Sequence, residues 1–216
     1  MQIENFLEYT LLKSNTDLNA IKSLCSEAKQ YNLFGVCLPP FYVLDAKRIL
    51  EDSKQKIVTV VGFPFGYNTI SSKVEETKRA VDDGADEIDM VVNISAVKDG
   101  KWTHVRNDID SVTRAAHLKG CQLKLIIEAS YLNDEEIKRL CDLAIDLGVN
   151  FIKTSTGVIA PGTSVEVVKK INQILIGSNI QIKASGAVNN KDFAIELLNA
   201  GATRIGTSTA IQIIKS

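Results

Sequence analysis

The chain has 216 residues, 45% hydrophobic and 24% charged, which is the make-up of a globular protein large enough for one sizeable core. Its 25 Lys and Arg nearly cancel its 26 Asp and Glu, which excludes a broad nucleic-acid or acidic-membrane surface and leaves any anionic ligand to be held locally. No segment reaches transmembrane length, and the N-terminal stretch lacks a basic region followed by an apolar core, so a cytoplasmic location with no membrane partner is expected.

Taken in order, eight apolar runs read as strands: Leu7–Leu12, Phe34–Pro39, Ile57–Gly62, Glu87–Asn93, Gln122–Glu128, Phe151–Thr156, Gln181–Gly186 and Arg204–Ser208. Several are near-continuous Val, Ile and Leu without two-residue alternation, as expected of parallel strands covered on both faces. Amphipathic segments with helix punctuation lie between them. Ser72 and Glu75, and Thr163 and Glu166, have capping-box spacing, and Asn133 precedes Asp-Glu-Glu as an N-cap. Gly84, Gly120, Gly148 and Gly201 each stand between a helical pattern and the next strand, the C′ position that favours glycine. Trp102, Val105, Ile109, Val112 and Ala116 make one apolar helical stripe.

The unit of helix, glycine and strand recurs through the chain without a linker or low-complexity stretch. Neither GxGxxG nor GxxxxGK[ST] occurs, which argues against an open doubly wound sheet. The expected fold is α/β, a single (β/α)₈ TIM barrel over residues 1–216. Cys25, Cys37, Cys121 and Cys141 have no metal-ligand or disulfide spacing and read as free thiols. His104 and His117 fall in one helical segment, which removes most histidine metal sites and hydrolytic triads.

In such a barrel the active site lies at the carboxyl ends of the strands, and a charge within a strand points into the barrel. Asp89, Lys153 and Lys183 meet that description, and Lys124 and Glu128 on the fifth run are further charges near them. A lysine that is partly desolvated beside a second cation loses proton affinity and becomes a nucleophile near neutral pH. Lys153 fits this role, with Lys183 supplying the second charge and Asp89 exchanging protons. The same five residues could instead pair off as interior filler, which is the reading taken for Lys124 and Glu128. Gly206-Thr-Ser208 and Gly186-Ala-Val-Asn189 follow the last two strands, where barrels often hold phosphate; an ordinary tight turn is the alternative.

These residues lie in segments that resemble the deoxyribose-phosphate aldolase family of class I aldolases over nearly the whole chain. The resemblance rests on Gly84-Ala-Asp-Glu-Ile-Asp-Met-Val-Val-Asn93 and Phe151-Ile-Lys-Thr-Ser-Thr-Gly157 above all. Tyr9-Thr-Leu-Leu-Lys13, Val60-Val-Gly-Phe-Pro-Phe-Gly66, Leu125-Ile-Ile-Glu128, Lys183-Ala-Ser-Gly186 and Arg204-Ile-Gly-Thr-Ser208 support it in order. It implies reversible cleavage of 2-deoxy-D-ribose 5-phosphate to D-glyceraldehyde 3-phosphate and acetaldehyde, with no metal or other cofactor. Lys153 matches the Schiff-base lysine, Asp89 the proton-transfer aspartate and Lys183 the second lysine. Gly186, Gly206, Thr207 and Ser208 match phosphate-binding positions, and Thr156 joins them as a candidate substrate contact. The implied partners are small phosphosugar and aldehyde molecules; barrels of this kind commonly form homodimers, but the sequence does not give the oligomeric state. Two alternatives stay open: a related lysine-dependent aldolase for another sugar, and a non-catalytic barrel that binds a phosphometabolite. The sequence departs from the family where Glu8-Tyr-Thr10 replaces Asp-His-Thr, where Val158–Gly162 replaces a glycine-rich turn, and where Ala187 and Asn189 replace a glycine and an arginine.

Overall fold

Each apolar run forms a strand, and each amphipathic segment supplies a helix that crosses over to the next strand. In the computed structural model, which describes residues 2–216, the first half of the order is β1 (Leu7–Thr10), α1 (Leu18–Gln30), β2 (Gly35–Cys37), α2 (Val43–Ile49), β3 (Lys56–Val61), α3 (Ile70–Asp82), β4 (Glu87–Val91), α4 (Ile94–Lys98) and α5 (Trp102–His117). It continues with β5 (Gln122–Ile126), α6 (Asp134–Asp146), β6 (Phe151–Lys153), α7 (Val165–Ile174), β7 (Gln181–Ser185), α8 (Lys191–Asn199), β8 (Arg204–Thr207) and α9 (Ala210–Lys215). Neighbouring strands pair in parallel and in chain order, and β8 returns to β1, so the sheet closes as a TIM barrel.

Every strand ends one to three residues before the end of the run that marks it in the sequence. At these ends the backbone turns out of the ladder to build the loops of the upper face. Gly62, Gly157 and Gly186 adopt positive φ there, and Glu128 takes the left-handed conformation at φ 50°. Helix starts follow the same local chemistry. Asn133 accepts from the Glu136 N–H at 2.9 Å and Glu136 accepts from the Asn133 N–H at 2.8 Å, the expected capping box. The other two boxes are corrected. Thr69 and Ser164, not Ser72 and Thr163, are the residues in extended conformation before the helix, so their hydroxyls accept the free N–H groups of Ser72 and Val167. The four glycines expected beyond helix ends all have positive φ.

The core has two parts. Outward-facing Leu7, Val36, Ile57, Ile88, Leu123, Ile152, Ile182 and Ile205 pack under the helices in one continuous apolar layer. Each such side chain contributes roughly 1.5–3 kcal/mol on burial, so this outer layer carries the stability of the barrel. Inside the barrel the apolar cluster is small: Cys37, Val58 and Val60, with Leu12 and Phe63 against them. The remaining interior is thereby available for charge. One buried ion pair outside the barrel also positions the site. Lys73 of α3 donates to Asp108 of α5 at 2.6 Å and to the carbonyl of Val91 at 2.9 Å, which fixes the end of β4 two residues beyond Asp89.

All four cysteines are buried free thiols, and both histidines are exposed on α5, as their sequence context implies. Among the described residues, no helix is long and apolar enough to cross a membrane.

Candidate active site

Strand alternation directs Glu8, Glu87, Asp89, Lys124, Lys153, Lys183 and Arg204 into the barrel, where all seven are buried. Register brings them level. Asp89 stands opposite Lys124, Lys153 opposite Lys183, and Lys183 opposite Arg204 on successive strands. Small residues make the room: a Cβ on Gly206 would lie 3.0 Å from Cε of Lys183, so that strand position must remain bare for the lysine to extend.

Asp89 is the centre of the arrangement. Its Oδ2 accepts from Nζ of Lys153 at 2.8 Å and from Nζ of Lys183 at 2.6 Å, and its Oδ1 accepts from Nζ of Lys124 at 2.9 Å. The three residues singled out from sequence therefore meet at one oxygen atom. Lys183 also donates to Glu8, whose second oxygen accepts from Nη1 of Arg204 at 2.9 Å. Glu87 completes the lower layer, bonded to Lys124 at 2.5 Å and to Arg204 at 3.1 Å. The Arg204 guanidinium lies on the Phe34 ring, 3.2 Å from its centroid.

Proton affinities follow from these contacts. Burial alone would raise the Asp89 carboxyl, but Lys124, Lys153 and Lys183 together hold it well below the usual carboxylate range. Glu8 is likewise lowered, burial being outweighed by Lys124 and Lys183. For Lys183 and Lys124 burial favours the neutral amine, yet the Asp89 and Glu8 carboxylates prevail and both ammonium groups are held more firmly than usual. Burial pushes the Cys37 thiol up to about 11, so it is a neutral group beside the cluster.

The expected substrate-contact residues lie at the ends of β6, β7 and β8, but their hydroxyls are largely engaged. Thr156 donates to Glu128 at 2.6 Å, and Glu128 also accepts the Thr156 N–H at 3.0 Å. Thr207 donates to the carbonyl of Val188 at 2.6 Å, which ties β8 to the loop after β7. Ser208 is exposed, and Gly206 sits lower, against Lys183. Gly186 serves close packing: a Cβ there would stand 2.8 Å from Cα of Gly162, so the loops after β6 and β7 touch backbone to backbone. Ala187, where the family resemblance implies glycine, takes φ 60°. A cavity of about 410 Å³ is lined by, among others, Leu12, Lys13, Ser14, Tyr42, Val60 and Phe63.

Two parts of the cluster escape a motif-by-motif reading. Lys124 reads in the sequence as a member of a paired polar filling and is paired in the barrel, but the sequence around it does not say that the partner is the second oxygen of Asp89. Glu87 and Arg204 open their strands and carry no motif of their own. Their signal is parity: each lies two residues before an interior position, Asp89 and Gly206, and so shares its face. A metal would find a poor donor set here. Glu8, Cys37 and Asp89 bring one ligand atom each within 4.8 Å of one another, but both carboxylates are already bonded to ammonium groups and the thiol is protonated.

Eight parallel strands closed around a buried lysine–carboxylate cluster define a β/α-barrel enzyme. Residues 7–211 match the family model described as DeoC/LacD family aldolase. A deoxyribose-phosphate aldolase of Aciduliprofundum boonei is 43% identical over 215 residues, spanning 100% of this chain and 96% of its own length. One of Thermococcus gammatolerans is 41% identical over 217 residues, with the same shares of each chain. Among solved structures, the aldolase QR15 is similar with a TM-score of 0.93 and 37% identity, covering 99% of this chain and 94% of that one. The chain belongs to the DeoC/LacD family of aldolases, and is a lyase.

Proposed function

We propose that the protein reversibly cleaves 2-deoxy-D-ribose 5-phosphate to D-glyceraldehyde 3-phosphate and acetaldehyde through an imine on Lys153. The observation that carries this reading is the unequal partnering of the lysines around Asp89. Lys183 and Lys124 each hold at least two carboxylates close by, whereas Lys153 has Asp89 alone and shares it. Lys153 is the lysine of the cluster with the fewest carboxylate partners and is assigned as the nucleophile, while Lys124 and Lys183 are held as ammonium groups.

In the cleavage direction, the Lys153 amine adds to the C1 aldehyde of the open-chain sugar and loses water to give a protonated imine. The C3 hydroxyl then gives up its proton, the C2–C3 bond breaks, and its electron pair passes into the imine as an enamine. The three-carbon aldehyde phosphate leaves. Protonation of the enamine carbon and hydrolysis release acetaldehyde and return the amine. Asp89 and Lys183, bonded to each other at 2.6 Å, are the groups placed to take and return these protons. Relatives named as deoxyribose-phosphate aldolases, matched across 96% of their own length, support the choice of sugar.

Incubation with the sugar phosphate and borohydride is expected to fix a reduced two- or five-carbon adduct on Lys153, read by peptide mass spectrometry. An adduct on another lysine, or none, overturns the assignment. We assign the phosphate group to the ends of β7 and β8, where the N–H groups of Gly186 and Ser208 donate to no backbone carbonyl among the described residues, whereas the hydroxyl of Thr207 is bonded to Val188. Phosphorylated deoxyribose is therefore expected to exceed free deoxyribose in kcat/KM by at least about 10²-fold, the scale of one or two charge-assisted hydrogen bonds. Equal values would show that these loops do not read phosphate.

A further inference from the structure

We propose that Arg204 and Glu87, on the floor of the barrel, are positioning residues that set the charge balance under which Lys153 releases its proton. The proposal rests on the imine reading above. The groups facing this interior come from seven of the eight strands. They are Glu8 from β1, the neutral thiol of Cys37 from β2, Glu87 and Asp89 from β4, Lys124 from β5, Lys153 from β6, Lys183 from β7 and Arg204 from β8; β3 contributes only Val58 and Val60. Beyond the strand ends, Glu128 is bonded to Thr156 and pairs with no cation among the described residues. At the lower rim, Lys56 and Asp86 satisfy each other at 3.3 Å.

The ion-paired set thus holds four cations, Lys124, Lys153, Lys183 and Arg204, against three carboxylates, Glu8, Glu87 and Asp89. A buried cluster with an excess charge is costly, and this one balances when one cation becomes neutral. Arg204 cannot supply that proton, since guanidinium stays charged in proteins. Lys124 and Lys183 each face at least two carboxylates. Lys153 is left as the group whose neutral form balances the set. Arg204 and Glu87 touch neither Lys153 nor the space above it, so they act through the chain Arg204–Glu8–Lys183–Asp89 and through Lys124.

This fixes the sign of two substitutions. Arg204→Met removes a cation, so the cluster balances with Lys153 protonated and the acid limb of the pH–rate profile moves to higher pH. Glu87→Gln removes an anion, so the limb moves to lower pH. Arg204 lies two strands from Lys153, about 10 Å at one strand spacing each. A unit charge at that distance, in a medium of effective dielectric about 20, shifts the limb by roughly one pH unit, or about tenfold in kcat/KM on the limb. The double variant restores the balance and is expected to return toward wild type, and Arg204→Lys, which keeps the charge, is expected to leave the limb in place.

The test measures kcat/KM for deoxyribose 5-phosphate cleavage against pH for wild type and these four variants, with borohydride trapping at each pH read at Lys153. Opposite shifts in the single variants with recovery in the double are the expected result. Limbs that stay put, or move the same way, while Lys153 is still trapped overturn the floor proposal alone. Absence of trapping at Lys153 in wild type instead overturns the imine reading beneath it. Should Arg204→Met not fold, Glu87→Gln decides by itself, because its amide keeps the shape of the carboxylate: a limb that is unmoved or raised refutes the proposal.

Discussion

A Lys153→Leu protein is expected to lose at least about 10⁴-fold in kcat while remaining as stable as wild type, or becoming more so. The loss follows from removing the one lysine of the buried cluster that has a single carboxylate partner, since without an imine the C2–C3 electron pair has no sink. The stability follows from the same contacts. Lys153 is a cation in excess of the carboxylates around it, so its removal strands no anion: Asp89 keeps Lys124 at 2.9 Å and Lys183 at 2.6 Å. Replacing a buried charge by an apolar side chain of similar volume is commonly neutral or stabilising when its partner stays satisfied. A thermal melt and a progress curve on one preparation check both halves. A melting temperature that falls sharply would show that Lys153 is a structural member of the cluster, and residual turnover within tenfold of wild type would remove it from the chemistry.

The barrel is legible in the sequence because its signals are local and repeated. Runs such as Gln122–Ile126 and Gln181–Ser185 carry the strand signal within five residues, and a glycine or cap marks each helix end. Lys153 and Asp89 stand out for a related reason, each being a charge inside an apolar run. Legibility fails where meaning depends on partners. Nothing in the neighbours of Lys124 says that it meets Asp89, because that contact is made across a strand pair. Arg204 opens β8, 196 residues from the Glu8 that it holds, and only closure of the barrel brings the two together. The hydroxyls of Thr156 and Thr207 depend on partners in the same way. A hydroxyl at a strand end reads as a ligand group until its own acceptor is known, here Glu128 and Val188.

Asp89→Asn should separate the two halves of the reaction. The amide keeps the shape of the side chain but removes the anion that three ammonium groups share, leaving four cations against two carboxylates in the cluster. Breaking a buried pair in this way costs about 3–5 kcal/mol, read as a lower melting temperature near neutral pH. Because the wild-type carboxyl is held far below its unfolded value, its stabilisation is complete above about pH 4 and is lost only as the pH falls through the depressed folded value, so the two melting curves converge only in strong acid. Imine formation has the opposite dependence. With one anion fewer, Lys153 has more reason to be neutral, and borohydride trapping of an aldehyde at Lys153 should persist and extend to lower pH. Turnover should still fall by about 10²–10⁴-fold, since the group that moves protons to and from the C3 oxygen and the enamine carbon is gone. Trapping and turnover falling in proportion would sink this division of labour, for it would make Asp89 a partner in forming the imine rather than in breaking the C2–C3 bond and protonating the enamine.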